Sequence, residues 1–217
     1  MKICGITSAE AADAAAGAGA DFAGLVFFSA SPRYLKAEQA ASLAARLRGR
    51  SRIVALLADA RDEEIAAAVQ AARPDFLQLH GRETPERVAA VKARFAIPAI
   101  KSIAIAEAAD LACVAAYEKV ADMLLFDAKA PSSAVRPGGH GAAFDWQLLR
   151  GRKFSRPWLL AGGLDAGNVA RAIRAADAPG VDVSSGVETA PGIKEPQLIR
   201  DFIAAARQAE FVKEVDA

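Results

Sequence analysis

The chain is 217 residues long, which suits one sizeable domain and is short for two. Its 27 basic and 26 acidic residues give a formal net charge of +1, so no overall field favours nucleic acid or an anionic membrane as a partner. Two cysteines, Cys4 and Cys113, are too few for a disulfide scaffold, and two histidines, His80 and His140, form no clustered zinc pattern. We therefore expect no metal site, and an anion held by local geometry alone.

The apolar stretches predict no membrane segment. They are diluted by alanine and broken by charges well before the roughly 18 residues that a span needs. The chain also opens without the charged region and apolar run that mark a secretory signal. These features predict a cytoplasmic protein with reduced thiols.

Short β-rich runs alternate with longer alanine-rich segments along the chain. Most runs are almost continuously apolar, which is typical of parallel strands covered on both faces. The predicted strands span residues 2–6, 22–28, 52–58, 75–80, 97–103, 121–127, 157–163 and 180–185.

The segments between the strands have helical patterns with recognisable ends. Thr84 before Pro85 predicts a helix start, while Gly19, Gly49 and Arg73 predict helix ends. The predicted helices span residues 8–19, 36–48, 62–72, 84–94, 107–117, 144–150, 165–175 and 194–208.

Eight strand–helix units predict an α/β fold, a single (β/α)8 TIM barrel over residues 1–217, with about the last ten residues as a frayed tail. A doubly wound open sheet is the structural rival. The barrel is favoured by the count of eight, by the even spacing and by glycine-rich loops after strands seven and eight, whereas no G-x-G-x-x-G follows strand one. The long connection 128–143 predicts a lid or binding loop.

The active site of such a barrel lies at the carboxyl ends of its strands. Cys4 ends strand one and could be a core residue, a disulfide half, a metal ligand or a catalytic base. Asp127 ends strand six and is either a helix cap or partner of Lys129, or a general acid at the barrel mouth. Arg33 is either an exposed loop arginine or a two-point fork for a substrate carboxylate. Asp182 is either a buried hydrogen-bonding partner or a contact to the substrate.

Two glycine-bearing loops indicate a phosphate site. In many barrels the loops after strands seven and eight bind phosphate through backbone N–H groups, and glycine lets the backbone approach the oxygens. Each loop alone reads equally well as a tight turn, but the two together favour phosphate. The candidate residues are Gly162, Gly163, Ser184, Ser185 and Gly186.

Three further residues have simpler expectations. His80 is predicted to be a hydrogen-bonded residue at a strand end, without a catalytic role, and Cys113 to pack within a helix. Lys2 lies on the same side of its strand as Cys4 by alternation, so it is a candidate charge beside the thiol. A free cysteine titrates near about 8.5, so a catalytic Cys4 is expected to have its pKa lowered by positive neighbours or a helix N-terminus.

Seven motifs in one order carry a family resemblance: "KICGIT", "GLVFFSASPRY", "LQLHG", "LLFDAK", "GGHGAAFDW", "LAGGL" and "DVSSGVE". From Lys2 to about residue 205 the chain resembles the phosphoribosylanthranilate isomerases of tryptophan biosynthesis. The resemblance implies a cofactor-free Amadori rearrangement of N-(5-phosphoribosyl)anthranilate, a phosphosugar, to 1-(2-carboxyphenylamino)-1-deoxyribulose 5-phosphate.

The resemblance also implies roles for the candidate residues. Cys4 would be the general base and Asp127 the general acid, while Arg33 would hold the anthranilate carboxylate and Asp182 would lie beside the substrate. The phosphate would be held by Gly162, Gly163, Ser184, Ser185 and Gly186.

Other readings predict different residues. An indole-glycerol-phosphate synthase would require a catalytic lysine and glutamates at strand ends, and a ribulose-phosphate epimerase would require a set of metal ligands. A barrel that binds phosphate ligands without catalysis would lack one member of the acid–base pair, whereas this chain has both Cys4 and Asp127.

Overall fold

Eight parallel strands form the centre of the molecule. The computed structural model describes residues 1–129 and 143–215, with side chains up to residue 209. The strands are β1 Lys2–Cys4, β2 Phe22–Val26, β3 Arg52–Leu57, β4 Phe76–Leu79, β5 Ala99–Ile105, β6 Met123–Ala128, β7 Trp158–Leu160 and β8 Asp182–Val183. Each coincides with one of the predicted runs and most are shorter, because the predicted ends included loop residues.

The strands close into a barrel. Their order is β7-β6-β5-β4-β3-β2-β1-β8, so β1 pairs with both β2 and β8. A parallel bridge between Leu160 and Val181 joins the two remaining edges. This closure confirms the predicted (β/α)8 barrel and rules out the doubly wound sheet, whose edges stay open.

Seven α-helices surround the strands in the described part of the chain. They are α1 Ala9–Gly17, α2 Ala37–Leu47, α3 Asp62–Ala72, α4 Pro85–Phe95, α5 Val114–Glu118, α6 Val169–Ala176 and α7 Pro196–Val215. The Thr84 hydroxyl accepts a hydrogen bond from the Arg87 N–H, which confirms the predicted start of α4. Among the described residues, no helix is long and apolar enough to cross a bilayer.

Two predicted helices are wrong in type. Most of 107–117 is a 3-10 turn, Ala108–Cys113, followed by the short α5, because the Asp110 carboxylate accepts the backbone N–H groups of Ala106 and Glu107 and tightens the first turn. Helix 144–150 is reduced to a 3-10 turn at Trp146–Leu149, which ends before Gly151 at φ +68°.

A short antiparallel hairpin after β8 was not predicted. Its strands are β9 Glu188–Ala190 and β10 Ile193–Lys194. The turn residue Gly192 has φ +84°, and a Cβ there would lie 2.4 Å from the Pro32 carbonyl oxygen. The Thr7 hydroxyl also donates to the Gly192 carbonyl at 2.7 Å. The hairpin is therefore fixed against the loops that follow β1 and β2.

The barrel interior changes character along its axis. Apolar side chains fill the lower part as a separate cluster of Phe22, Val54, Ile100, Leu125, Leu159 and Ala161. Ser102 and Asp127 follow the cluster residues Ile100 and Leu125 on β5 and β6, and Lys2, Gln78 and Asp182 are further buried polar residues on β1, β4 and β8. Buried polar groups need partners, so this interior is built for chemistry or for a paired network.

Candidate active site

Cys4 lies at the carboxyl end of β1, buried in register with Gly24 of β2. A Cβ at position 24 would lie 3.0 Å from the Cys4 Sγ and 3.1 Å from its Cα. Only glycine leaves ordinary contact distance there, so Gly24 makes room for the thiol. Both cysteines are free thiols, which excludes the disulfide reading of Cys4.

Lys2 and Asp182 form a buried ion pair below the thiol. The Lys2 Nζ lies 2.9 Å from Asp182 Oδ1, and the lysine is fully buried. Lys2 therefore lies on the barrel interior with Cys4, as the strand alternation predicted. The structure supports the reading of Asp182 as a buried hydrogen-bonding partner, and its substrate contact stays a prediction.

The expectation that the pKa of Cys4 is lowered is wrong for this structure. Burial raises the pKa of the Cys4 thiol, and the charge of Asp182 adds to that effect. The ammonium groups of Lys2 and Lys194 act in the opposite direction without overcoming burial. The main reason is the complete burial of the thiol, and the charge of Asp182 offsets part of the effect of Lys2.

Asp127 at the end of β6 lies next to His80 at the end of β4. The His80 Nε2 is 3.3 Å from Asp127 Oδ2, and His80 Nδ1 is 2.8 Å from the amide nitrogen of Gln78. The imidazole therefore lies between the Gln78 amide at Nδ1 and the Asp127 carboxylate at Nε2. The expected hydrogen bonding of His80 is confirmed, but its proximity to the candidate acid was not predicted.

Gly162 packs against the same carboxylate. Asp127 Oδ1 accepts the Ala128 N–H at 2.8 Å. A Cβ at Gly162, whose φ is +89°, would lie 2.8 Å from the Ala128 nitrogen and 3.2 Å from Asp127 Oδ1. Gly162 thus leaves the space that Asp127 occupies, in addition to its predicted part in the phosphate loop.

The two glycine loops meet at the barrel mouth. A Cβ at Gly186 would lie 1.9 Å from the carbonyl oxygen of Leu164, so the loop after β8 lies directly on the loop after β7. Among the described residues, no protein acceptor takes the backbone N–H groups of Gly162, Gly163 or Ser185. Donors of this kind suit phosphate oxygens, and phosphate binding by the two loops stays a prediction.

Arg33 is buried rather than exposed, which rules out its reading as an exposed loop arginine. Its Nε and Nη2 donate to the two carboxylate oxygens of Glu188 at 2.7 and 2.8 Å. Its alkyl chain covers Gly5, where a Cβ would lie 2.4 Å from the Arg33 Cδ. The carboxylate fork stays a prediction, with one edge of the guanidinium already bound within the protein.

Two other expectations concern residues away from this cluster. Cys113 is exposed rather than packed, because it ends a 3-10 turn and its thiol donates to the Asp110 carbonyl at 3.3 Å. The predicted lid 128–143 falls almost wholly on residues 130–142, which include His140 and lie outside the described residues.

Sequence reasoning missed Gly24, Glu188 and Lys194. Glu188 closes the quoted motif "DVSSGVE" and Lys194 follows a Pro-Gly turn, so both were visible as polar residues near a predicted loop. Nothing in their local pattern indicated that they reach Arg33, which is 155 residues from Glu188 in the chain.

A closed parallel barrel with a thiol, a carboxyl group and glycine loops at the carboxyl ends of its strands defines a (β/α)8-barrel enzyme. The family model described as "N-(5'phosphoribosyl)anthranilate (PRA) isomerase" matches residues 1–205. The chain belongs to the N-(5'-phosphoribosyl)anthranilate isomerase family.

Individual relatives agree with this assignment. The chain is 55% identical to the N-(5'-phosphoribosyl)anthranilate isomerase of Rhodopseudomonas palustris strain BisA53, over 97% of this chain and 96% of that protein. It is 52% identical to that of Nitrobacter winogradskyi, over 97% and 93% of the two chains.

Solved structures also match. The phosphoribosyl anthranilate isomerase of Thermotoga maritima has a TM-score of 0.85 at 35% identity, covering 95% of this chain and 98% of that chain. A phosphoribosyl anthranilate isomerase in complex with reduced 1-(o-carboxyphenylamino)-1-deoxyribulose 5-phosphate has a TM-score of 0.82 at 32% identity, covering 95% and 97%.

Proposed function

We propose that this chain converts N-(5'-phosphoribosyl)anthranilate into 1-(2-carboxyphenylamino)-1-deoxyribulose 5-phosphate in tryptophan biosynthesis, with Cys4 as general base and Asp127 as general acid. The observation that carries the proposal is that the family match extends over residues 1–205 of a closed barrel, with both groups on the interior at the carboxyl ends of β1 and β6. No cofactor takes part in this proposal, and we place the reaction in the cytoplasm.

The two residues divide the proton transfers. Asp127, in its carboxylic acid form, donates a proton to the furanose ring oxygen as the C1–O bond breaks, which gives an open-chain Schiff base. The C2 proton of that species is acidic because the positive imine nitrogen withdraws electrons. The Cys4 thiolate removes it, and the resulting enolamine tautomerises to the aminoketone.

The remaining candidates bind the two ends of the phosphosugar substrate. Arg33 holds the anthranilate carboxylate, since guanidinium N–H groups match carboxylate geometry. The loop residues Gly162, Gly163, Ser184, Ser185 and Gly186 hold the phosphate through backbone and hydroxyl donors. Asp182 lies beside the sugar and also keeps Lys2 charged beneath the thiol.

The test is an isomerisation assay on the purified chain without added metal or nucleotide, from about pH 6 to about pH 9. We expect turnover of phosphoribosylanthranilate. Its absence across that range, in protein shown to be folded, would contradict the proposal. Cys113→Ser is the matched control, because this exposed thiol lies outside the proposed site and its loss should leave the rate unchanged.

A further inference from the structure

A second buried charge cluster lies at the rim of the barrel, formed by Arg33, Glu188 and Lys194. The two Glu188 oxygens accept from the Nε and Nη2 of Arg33, and the side chains of this pair are only 5% and 4% exposed. Such a two-point pair between buried partners has a fixed geometry. The direction of the Arg33 guanidinium is therefore set by Glu188.

Lys194 connects this pair to the predicted phosphate loop. Its Nζ lies 2.5 Å from Glu188 Oε1, 2.9 Å from the Ser184 carbonyl oxygen and 3.4 Å from the Ser184 hydroxyl. The lysine side chain is fully buried. One carboxylate thus faces two cations, and the cluster has a net positive charge of one when Lys194 is protonated.

The occupied edge of Arg33 decides how it can meet a ligand. A guanidinium has five N–H donors, and the edge formed by Nε and Nη2 is bound to Glu188. The edge that remains for a second carboxylate consists of Nη1 and the other N–H of Nη2. Packing of the alkyl chain on Gly5 restricts the side chain further.

We infer that Glu188 and Lys194 are positioning residues for carboxylate recognition. Glu188 holds Arg33 so that its Nη1–Nη2 edge receives the substrate carboxylate, and Lys194 fixes that edge relative to the phosphate loop at Ser184. This inference rests on the proposed function, because it assumes that Arg33 binds the carboxylate. It goes beyond that function by assigning the carboxylate preference to two residues whose contacts are with Arg33, with each other and with the loop at Ser184.

The experiment compares two ligands by calorimetry on the intact chain. The first is reduced 1-(o-carboxyphenylamino)-1-deoxyribulose 5-phosphate, and the second is its phenylamino analogue without the carboxyl group. The dissociation constant of the carboxyl-free analogue divided by that of the carboxylate ligand, called the ligand ratio below, measures carboxylate recognition alone. We expect Glu188→Gln to reduce this ratio about 10-fold or more while the affinity for the carboxyl-free analogue changes by less than about 2-fold. Lys194→Met should reduce the ratio in the same direction.

Glu83→Gln is the matched control. Glu83 and Lys101 form another buried pair, with side chains 4% and 3% exposed, in which Lys101 also donates to the Gly81 carbonyl. The Glu83→Gln change removes one negative charge, as Glu188→Gln does, from a similarly buried pair that does not contact Arg33. We expect the ligand ratio to stay at the wild-type value in this variant.

The outcomes separate the inference from the proposed function. If Arg33→Ala keeps the ratio, the assignment of Arg33 is wrong. If Arg33→Ala brings the ligand ratio to about one and Glu188→Gln leaves it at the wild-type value, only the inference is overturned. Equal weakening of both ligands by Glu188→Gln would also overturn it, because a purely structural defect does not distinguish them. The double variant Arg33→Ala/Glu188→Gln should lose no more of the ratio than Arg33→Ala alone.

Discussion

His80 Nε2 lies 3.3 Å from Asp127 Oδ2, so an imidazole from β4 faces the carboxyl group that we assign as the general acid. The Gln78 amide at His80 Nδ1 fixes the ring orientation from the opposite side. His80 is thus placed to hold the Asp127 carboxyl group in one orientation.

We predict that His80→Ala lowers kcat by about 10- to 100-fold with little change in KM, because it disturbs the acid and leaves both ends of the substrate bound. Steady-state kinetics on folded protein would measure this. An unchanged kcat, or a rise in KM alone, would show that His80 has no part in the acid step.

The thiol of Cys4 should titrate above its ordinary pKa, since burial raises that pKa more than Lys2 lowers it. Replacing Lys2 with Met removes the cation that most lowers this pKa, so burial and Asp182 then act without it. The pKa of Cys4 should therefore rise and alkylation should begin at higher pH. The rate of iodoacetamide alkylation against pH, in a Cys113→Ser background, measures it. A midpoint that stays or falls in Lys2→Met would contradict the charge argument.

Gly24→Ala should impair the thiol without damaging the fold elsewhere. The new methyl group would lie 3.0 Å from the Cys4 Sγ, so Cys4 or its strand must shift by a few tenths of an ångström. We expect kcat to fall by about 10-fold or more, since catalysis is sensitive to displacements of this kind. Gly17→Ala in α1 is the control, because nothing lies within 4 Å of its added Cβ and it should be neutral or stabilising.

Carboxylate recognition should weaken at alkaline pH. The pKa of Lys194 is lowered to about 8, mainly by burial and also by the charge of Arg33, while Glu188 and Cys4 oppose this shift in part. Below that pH the ammonium is charged, and above it the rim cluster loses its net positive charge. The ligand ratio should therefore fall as pH rises through about 8. In Lys194→Met the ligand ratio should be low and independent of pH. A fall near pH 8 that persists in this variant would show that another group titrates.

The strands and the barrel could be predicted because they depend on local patterns. Eight apolar runs at even spacing determine the number of strands, and covered parallel strands read as continuous apolar sequence. The 3-10 turns at Ala108–Cys113 and Trp146–Leu149 could not be predicted in this way, since side-chain bonds from Asp110 and Asp145 decide them.

The sequence could predict which residues belong to the site, but not which side chains pair with one another there. Strand ends indicate Cys4 and Asp127, but the pairing of Arg33 with Glu188 depends on a hairpin packed against a distant loop. The raised pKa of Cys4 likewise follows from burial, which is a tertiary property that no local motif reports.

The central claim is that Cys4 and Asp127 form the acid–base pair. The most direct measurement is the turnover of Cys4→Ser and Asp127→Asn on phosphoribosylanthranilate, with thermal unfolding of each variant compared with wild type. We predict that each variant loses about 10²- to 10⁴-fold in kcat with the fold intact. A near-normal kcat in either variant would contradict the role assigned to that residue.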